Sequence, residues 1–123
     1  MKLLDSNIII YSAKKEYSYL RDIYKENKIF ISEITRLEVL GFHRITTEQE
    51  NYFKSVFSVV TLIPISTNII DNAIKLRKIY NLSVGDSIIS ATAKLYKLKL
   101  YTNNESDFTS VKGLKIFNPL SEK

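Results

Sequence analysis

The sequence predicts an α/β domain built on a central parallel sheet with helices covering both faces. Two observations carry this. Short apolar runs rich in Ile and Leu alternate with longer segments whose apolar residues recur every three or four positions. No repeat, low-complexity tract or Pro/Gly-rich linker interrupts the alternation, so residues 1–123 are expected to form one domain.

Leu3-Leu4 reads as a short strand closed by Asp5, and Ile8 to Tyr11 as a turn entering a short helix. Leu20, Ile23 and Tyr24 give Tyr17–Glu26 a helical spacing. Lys28–Ile31 is a second strand, after which Ser32 is placed to cap a helix and Glu33 to favour its first turn. On that helix Ile34, Leu37 and Gly41 share a face. Thr47 with Glu50 is a capping-box pattern ahead of Tyr52, Phe53, Val56, Phe57 and Val60. A strand through Leu62-Ile63 ends near Pro64. The next helix, Thr67–Tyr80, is expected to turn Ile69, Ile70, Ala73, Ile74 and Leu76 inward and to pair Asp71 with Lys75. Gly85-Asp86 opens a helix carrying Ile88, Ile89, Thr92, Ala93 and Tyr96. Leu98–Thr102 and Lys115–Phe117 supply the last strands.

Absence of cysteine excludes a disulfide scaffold, thiol catalysis and cysteine-ligated zinc. The first residues are too short and too early-acidic for a signal peptide, and no apolar run approaches bilayer length. The expectation is a soluble, cytoplasmic protein. A net charge of +5 mildly favours a polyanionic partner, although many small soluble proteins carry as much.

In an open parallel sheet, chemistry belongs at the carboxyl ends of the strands. Asp5 closes the first strand there, where an Asp equally serves to cap the following helix. Glu38 lies on or beside an apolar stripe, a costly place for a carboxylate unless it is paired or holds a metal. An ion pair with Arg36 or Arg44, or a stripe-edge position reaching water, would also account for it. Asp86 begins a helix, where the dipole stabilises negative charge, and simple capping explains it as well. Asp107 follows a strand within an Asn-rich loop that reads equally as turn chemistry. Together, acids at one edge would repel one another unless a cation joined them. All-oxygen ligation favours Mg²⁺ or Mn²⁺, which suit phosphodiester hydrolysis.

Four blocks carry a resemblance. They are Leu3-Leu4-Asp5-Ser6-Asn7-Ile8, then Ile31 to Gly41 around Glu38, then Val84 to Ala93 around Asp86, and Leu100 to Phe108, which contains Asn104 and Asp107. In that order they resemble PIN-domain proteins, and most of all the VapC-type toxins of toxin–antitoxin pairs. The resemblance implies a three-layer α/β/α fold, Mg²⁺- or Mn²⁺-dependent endoribonuclease activity, homodimerisation and a cognate antitoxin that blocks the acidic pocket, often with a basic side chain. By motif match, Asp5, Glu38 and Asp86 stand where the family has metal-binding acids. Many relatives have an acid at the position of Asn104; here it is an amide, with Asp107 three residues later. Asp107 either completes the cluster or orders its loop. Asn7, Thr102 and Asn104 are candidates for positioning water or phosphate.

His43, the single histidine, follows the Glu38 helix and is expected at the surface. Tyr11, Tyr17, Tyr19 and Tyr24 are expected to pack rather than to stack on bases. Lys94, Lys97 and Lys99 read as a solvated face or as an RNA contact. The alternative function is a PIN-fold module that binds RNA or protein without turnover, motivated by Asn104. A phosphoacceptor domain ranks last, since adjacent acids do not follow the first strand.

Overall fold

A computed structural model describes residues 1–120; residues 121–123, the end of the expected domain, lie outside the described residues. Five parallel strands, β1 (Lys2–Leu4), β2 (Ile29–Ser32), β3 (Thr61–Ile63), β4 (Lys99–Tyr101) and β5 (Ile116–Phe117), stand in the order β3-β2-β1-β4-β5. The strand order reverses between β1 and β4, which opens a crevice beyond their carboxyl ends.

Period-two alternation divides the core between the two faces. Leu3 and Leu100 pack with Ile69, Leu76, Ile89 and Phe108 on one side, under α4 (Thr67–Tyr80) and α5 (Val84–Tyr96). Leu4, Ile31 and Tyr101 face Ile8, Ile9, Val39, Phe53 and Phe57 on the other, under α1 (Ser6–Ser12), α2 (Glu33–Leu40) and α3 (Thr47–Val59). The result is the expected three-layer α/β/α architecture.

Several local expectations shift. Residues Lys15–Lys25 form a 3₁₀ segment kinked at Tyr17, not an α-helix. Its buried residues, Leu20 and Ile23, are three apart, which matches the three-residue turn. Ser32 caps α2 by accepting from the Ile34 N–H at 3.2 Å. The capping box of α3 falls one residue earlier, on Thr46 and Gln49, leaving Glu48 and Glu50 in the first turn against the helix dipole. On α4 the buried stripe is narrow, Ile69-Ala73-Leu76, so Ile70 and Ile74 are exposed. Asp71 and Lys75 are not among the ion pairs of the described residues.

Tyr24 and Tyr52 turn their hydroxyls inward onto Ser12 Oγ at 2.8 and 2.9 Å, tying the 3₁₀ segment and α3 to the end of α1. Burial holds the Tyr24 phenol in its neutral form. Tyr24 packs against the core as expected, as do Tyr11 and Tyr17, whereas Tyr19 is exposed. Among the described residues, no helix is long and apolar enough to cross a membrane.

Candidate active site

Asp5 leaves β1 at the strand-order reversal and is the most buried acid of the cleft, 5% exposed. Its backbone N–H donates to Tyr101 O on β4 at 2.9 Å, so the residue is clamped between the two strands. Its two carboxylate oxygens divide their work. Oδ1 accepts from the Ser6 N–H at 2.9 Å, capping α1. Oδ2 accepts from Thr102 Oγ1 at 2.9 Å and from Asn7 Nδ2 at 3.1 Å. Capping and site-building therefore coexist in one side chain.

Thr102, completely buried just past β4, is the hub of this network. Its hydroxyl donates to Asp5 and accepts from the Asn104 N–H at 3.0 Å. Asn7 in turn accepts from the Asn103 N–H at 2.9 Å. Asn103 Oδ1 takes a bond from Asn118 Nδ2 at 3.2 Å, so the loop after β4 is tied to the residue following β5.

Glu38 is not held within the apolar stripe. The buried face of α2 is Thr35 and Val39, Leu37 is 66% exposed, and Glu38 reaches across to the start of α5. An added Cβ on Gly85 would stand 2.9 Å from Glu38 Oε2. Glycine at 85 thus gives the carboxylate its room. Arg36 pairs with Glu33 at 2.6 Å and leaves Glu38 to the cleft.

Asp86 occupies the third position of α5, with Ser83 as the cap accepting its N–H at 3.1 Å. It is partly buried, at the positive end of the helix dipole. Seven consecutive buried residues, Ser87 to Ala93, fix that helix end against the sheet.

Electrostatics joins the acids. Burial pushes the Asp5 carboxyl above its usual range, against the bonds from Thr102, Ser6 and Asn7, and Asp107 adds to the rise. Glu38 is raised by burial, then by the charges of Asp5 and Asp86. Asp86 is raised by burial, Asp5 and Asp107, with Ser83 opposing. Among the described residues, none of these four acids is in an ion pair. Negative charge is concentrated without a protein counter-charge.

Asp107 lies exposed in a 3₁₀ turn, Glu105–Asp107, near enough for its charge to be felt. Asn104 joins through its backbone and is itself exposed. As placed, no three His, Asp or Glu side chains of the described residues form a group that could hold a metal ion. His43 sits at the surface beside Phe42, their ring centroids 5.5 Å apart.

Sequence reasoning overlooked Asn103, Asn118 and Ser83, and the spatial use of Gly85. Ser83-x-x-Asp86 was readable as a capping box. The Asn103–Asn118 link carries no local signal.

The sequence and the fold have known counterparts. The family model described as the PIN domain matches residues 2–114. Ribonuclease VapC2 of Methanocaldococcus jannaschii is 30% identical over 91% of this chain and 89% of its own length. A chain of a toxin–antitoxin complex from Klebsiella pneumoniae superimposes with a TM-score of 0.79 at 32% identity, covering 97% of this chain and 98% of that one. A chain of FitAcB from Neisseria gonorrhoeae has a TM-score of 0.80 at 20% identity, covering 98% and 99%, and supports the fold. Sequence and topology agree: this chain belongs to the PIN-domain family and is a homologue of the VapC ribonucleases.

Proposed function

We infer that this protein is a metal-dependent endoribonuclease and the toxin half of a toxin–antitoxin pair. The observation that carries the reading is the concentration of unpaired acids, Asp5, Glu38 and Asp86 with Asp107 at their edge, where the charges of Asp5, Asp86 and Asp107 raise the proton affinity of their neighbours. Their donors are all oxygen, the chemistry of Mg²⁺ or Mn²⁺, and a divalent ion would relieve the repulsion that the fold imposes. Asp5, Glu38 and Asp86, which as placed do not form a ligand group, would have to draw together to hold it, with Asp107 assisting. When bound, the ion supplies Lewis-acid stabilisation of the charge developing on an RNA phosphate.

The protein's own groups supply positioning and proton transfer. Thr102 and Asn7 fix the Asp5 rotamer. Glu38, raised in proton affinity and standing at the open side of the cleft, is suited to take a proton from the attacking water. Asp86 is oriented by the helix whose dipole supports its charge.

The relatives solved as toxin–antitoxin complexes support a protein partner for this chain. A groove of about 690 Å³ runs beside Glu38, lined by Ile10, Val39, Phe42 and Phe53 with Arg21 at its rim. It suits an amphipathic segment whose basic residue reaches the acids. A homodimer in the cytoplasm completes the proposal.

The test is cleavage of a structured RNA by purified protein with Mg²⁺, Mn²⁺ or EDTA. Asp5→Asn and Asp86→Asn should each abolish metal-dependent cleavage. Full activity in both variants overturns the roles assigned. RNA binding without turnover under every metal would assign the chain to an inactive PIN-fold module instead.

A further inference from the structure

Charge is distributed unevenly over the fold. All four ion pairs among the described residues fall between Lys2 and Lys54. Among the described residues, the lysines of α4, α5 and the loop before β5 have no acidic partner within ion-pair distance; two of them line one groove, and the loop bearing Lys112 lies at its edge. Lys75 of α4 and Lys94 of α5 line one groove with Asn72, Leu76 and Leu95. The loop closes on its edge: Lys112 N–H donates to Tyr80 Oη at 3.2 Å, and a Cβ on Gly113 would stand 3.7 Å from Lys94 Cε. Gly113 has φ +79°, a left-handed conformation that glycine adopts without strain, which sets the loop against Lys94. Lys78 and Lys97, one turn further along each helix, are also exposed. Asp71 is the one carboxylate on α4, and it does not pair with Lys75.

We propose that this three-element basic face, Lys75, Lys94 and Lys112, is a docking surface for the phosphate backbone of a folded RNA, separate from the carboxylate cleft. Lys94 lies eight residues along α5 from Asp86, about 12 Å of helix rise. A large RNA cut at the acids can therefore be gripped here, while a very short one cannot. Exposed lysines without an acidic partner are what a polyanion recognises. A second copy of this chain docked symmetrically would set lysines against lysines, which disfavours a dimer at this face. The inference deepens the ribonuclease reading and rests on its choice of RNA as the molecule bound.

The test combines Lys75→Ala, Lys94→Ala and Lys112→Ala. Binding of a fluorescent stem-loop RNA to the Asp5→Asn protein, with and without the triple change, is followed between about 50 and 200 mM salt. The triple change should lower the slope of log K against log salt by about 2 to 3 and weaken binding roughly tenfold or more. In the otherwise native protein it should raise KM for the stem-loop and leave cleavage of a trinucleotide unchanged. An unaltered slope in a variant with native circular dichroism overturns the proposal. So does loss of duplex-DNA binding with RNA binding intact, which would assign the face to DNA. If the native protein cleaves and the slope is unaltered, only this inference falls. If no cleavage occurs and the slope drops, the ribonuclease reading falls and the docking face stands.

Discussion

Replacing Thr102 with Val tests the network that holds the site together. The two side chains are nearly isosteric, so the change removes hydrogen bonds from a fully buried position and leaves its volume. The Thr102 hydroxyl donates to Asp5 Oδ2 at 2.9 Å, a bond to a charged acceptor worth about 1.5–3 kcal/mol. It also accepts from the Asn104 N–H at 3.0 Å; Asn104 is exposed, so that donor can turn to water at a cost of about 1 kcal/mol or less. The 3.4 Å approach of Asn7 Nδ2 adds little. At pH 8 the expected loss is about 2–4 kcal/mol, roughly 8–15 °C in Tm for a chain of this length.

The loss should depend on pH with a definite sign. Burial already raises the Asp5 carboxyl above its unfolded value, and Thr102 opposes that rise. Without Thr102 the native value climbs further, so the added penalty is present where native Asp5 is ionised. It shrinks as pH falls through the folded pKa toward the unfolded one. Urea unfolding at pH 8 and near pH 4 measures both ends. The residual acid-side difference should approach that of one neutral hydrogen bond, about 1 kcal/mol. Equal losses at both pH values, or a loss below about 0.5 kcal/mol at pH 8, would refute the assignment of Thr102 as support for an ionised Asp5.

Two further outcomes follow from the same cleft. Gly85→Ala places a Cβ where Glu38 Oε2 now lies 2.9 Å away; helix propensity gains up to about 1 kcal/mol, so stability should hold while RNA cleavage falls at least about tenfold, and unchanged cleavage would remove Glu38 from its assigned place. Glu38→Gln removes a carboxylate raised by burial and by its acidic neighbours; the native state loses stability as pH rises through that raised pKa, so in EDTA the variant should melt above the native protein at pH 8 and converge with it near pH 4. A lower melting temperature for the variant at pH 8, or a gap that ignores pH, would show that the acids do not repel in the folded state.

What the sequence revealed and what it withheld follow from the range of the interactions. Strand identity was legible because Leu3 and Leu4, or Leu100 and Tyr101, alternate between two apolar faces. The edge occupied by Asp5 was legible because parallel connections put strand ends and helix starts together. The inward faces of α2 and α4 were read too broadly. Period alone marks every apolar residue within a wide arc, whereas the sheet covers a narrower one, leaving Leu37, Ile70 and Ile74 outside. The helical spacing of Leu20 and Ile23 does not separate 3₁₀ from α, because both helices share a spacing of three.

Glu38 shows most clearly how a side chain's place depends on a neighbour that its own helix does not reveal. A buried stripe would make its carboxylate expensive; in the fold it is exposed on its own helix and confined by another. The constraint comes from Gly85, forty-seven positions later, whose missing side chain lets the carboxylate lie against the start of α5. Asp86 meets the same cleft through the sequence-local Ser83 cap, and Asp5 through Thr102, ninety-seven positions away. Each acid is therefore held by a different kind of neighbour: a cap, an absent side chain, and a buried hydroxyl. Such independent supports keep like charges together in the absence of a cation, because relaxing one acid does not release the others. This separability is why Gly85→Ala should disable Glu38 while the Asp5 network stays intact. Thr102→Val should do the reverse.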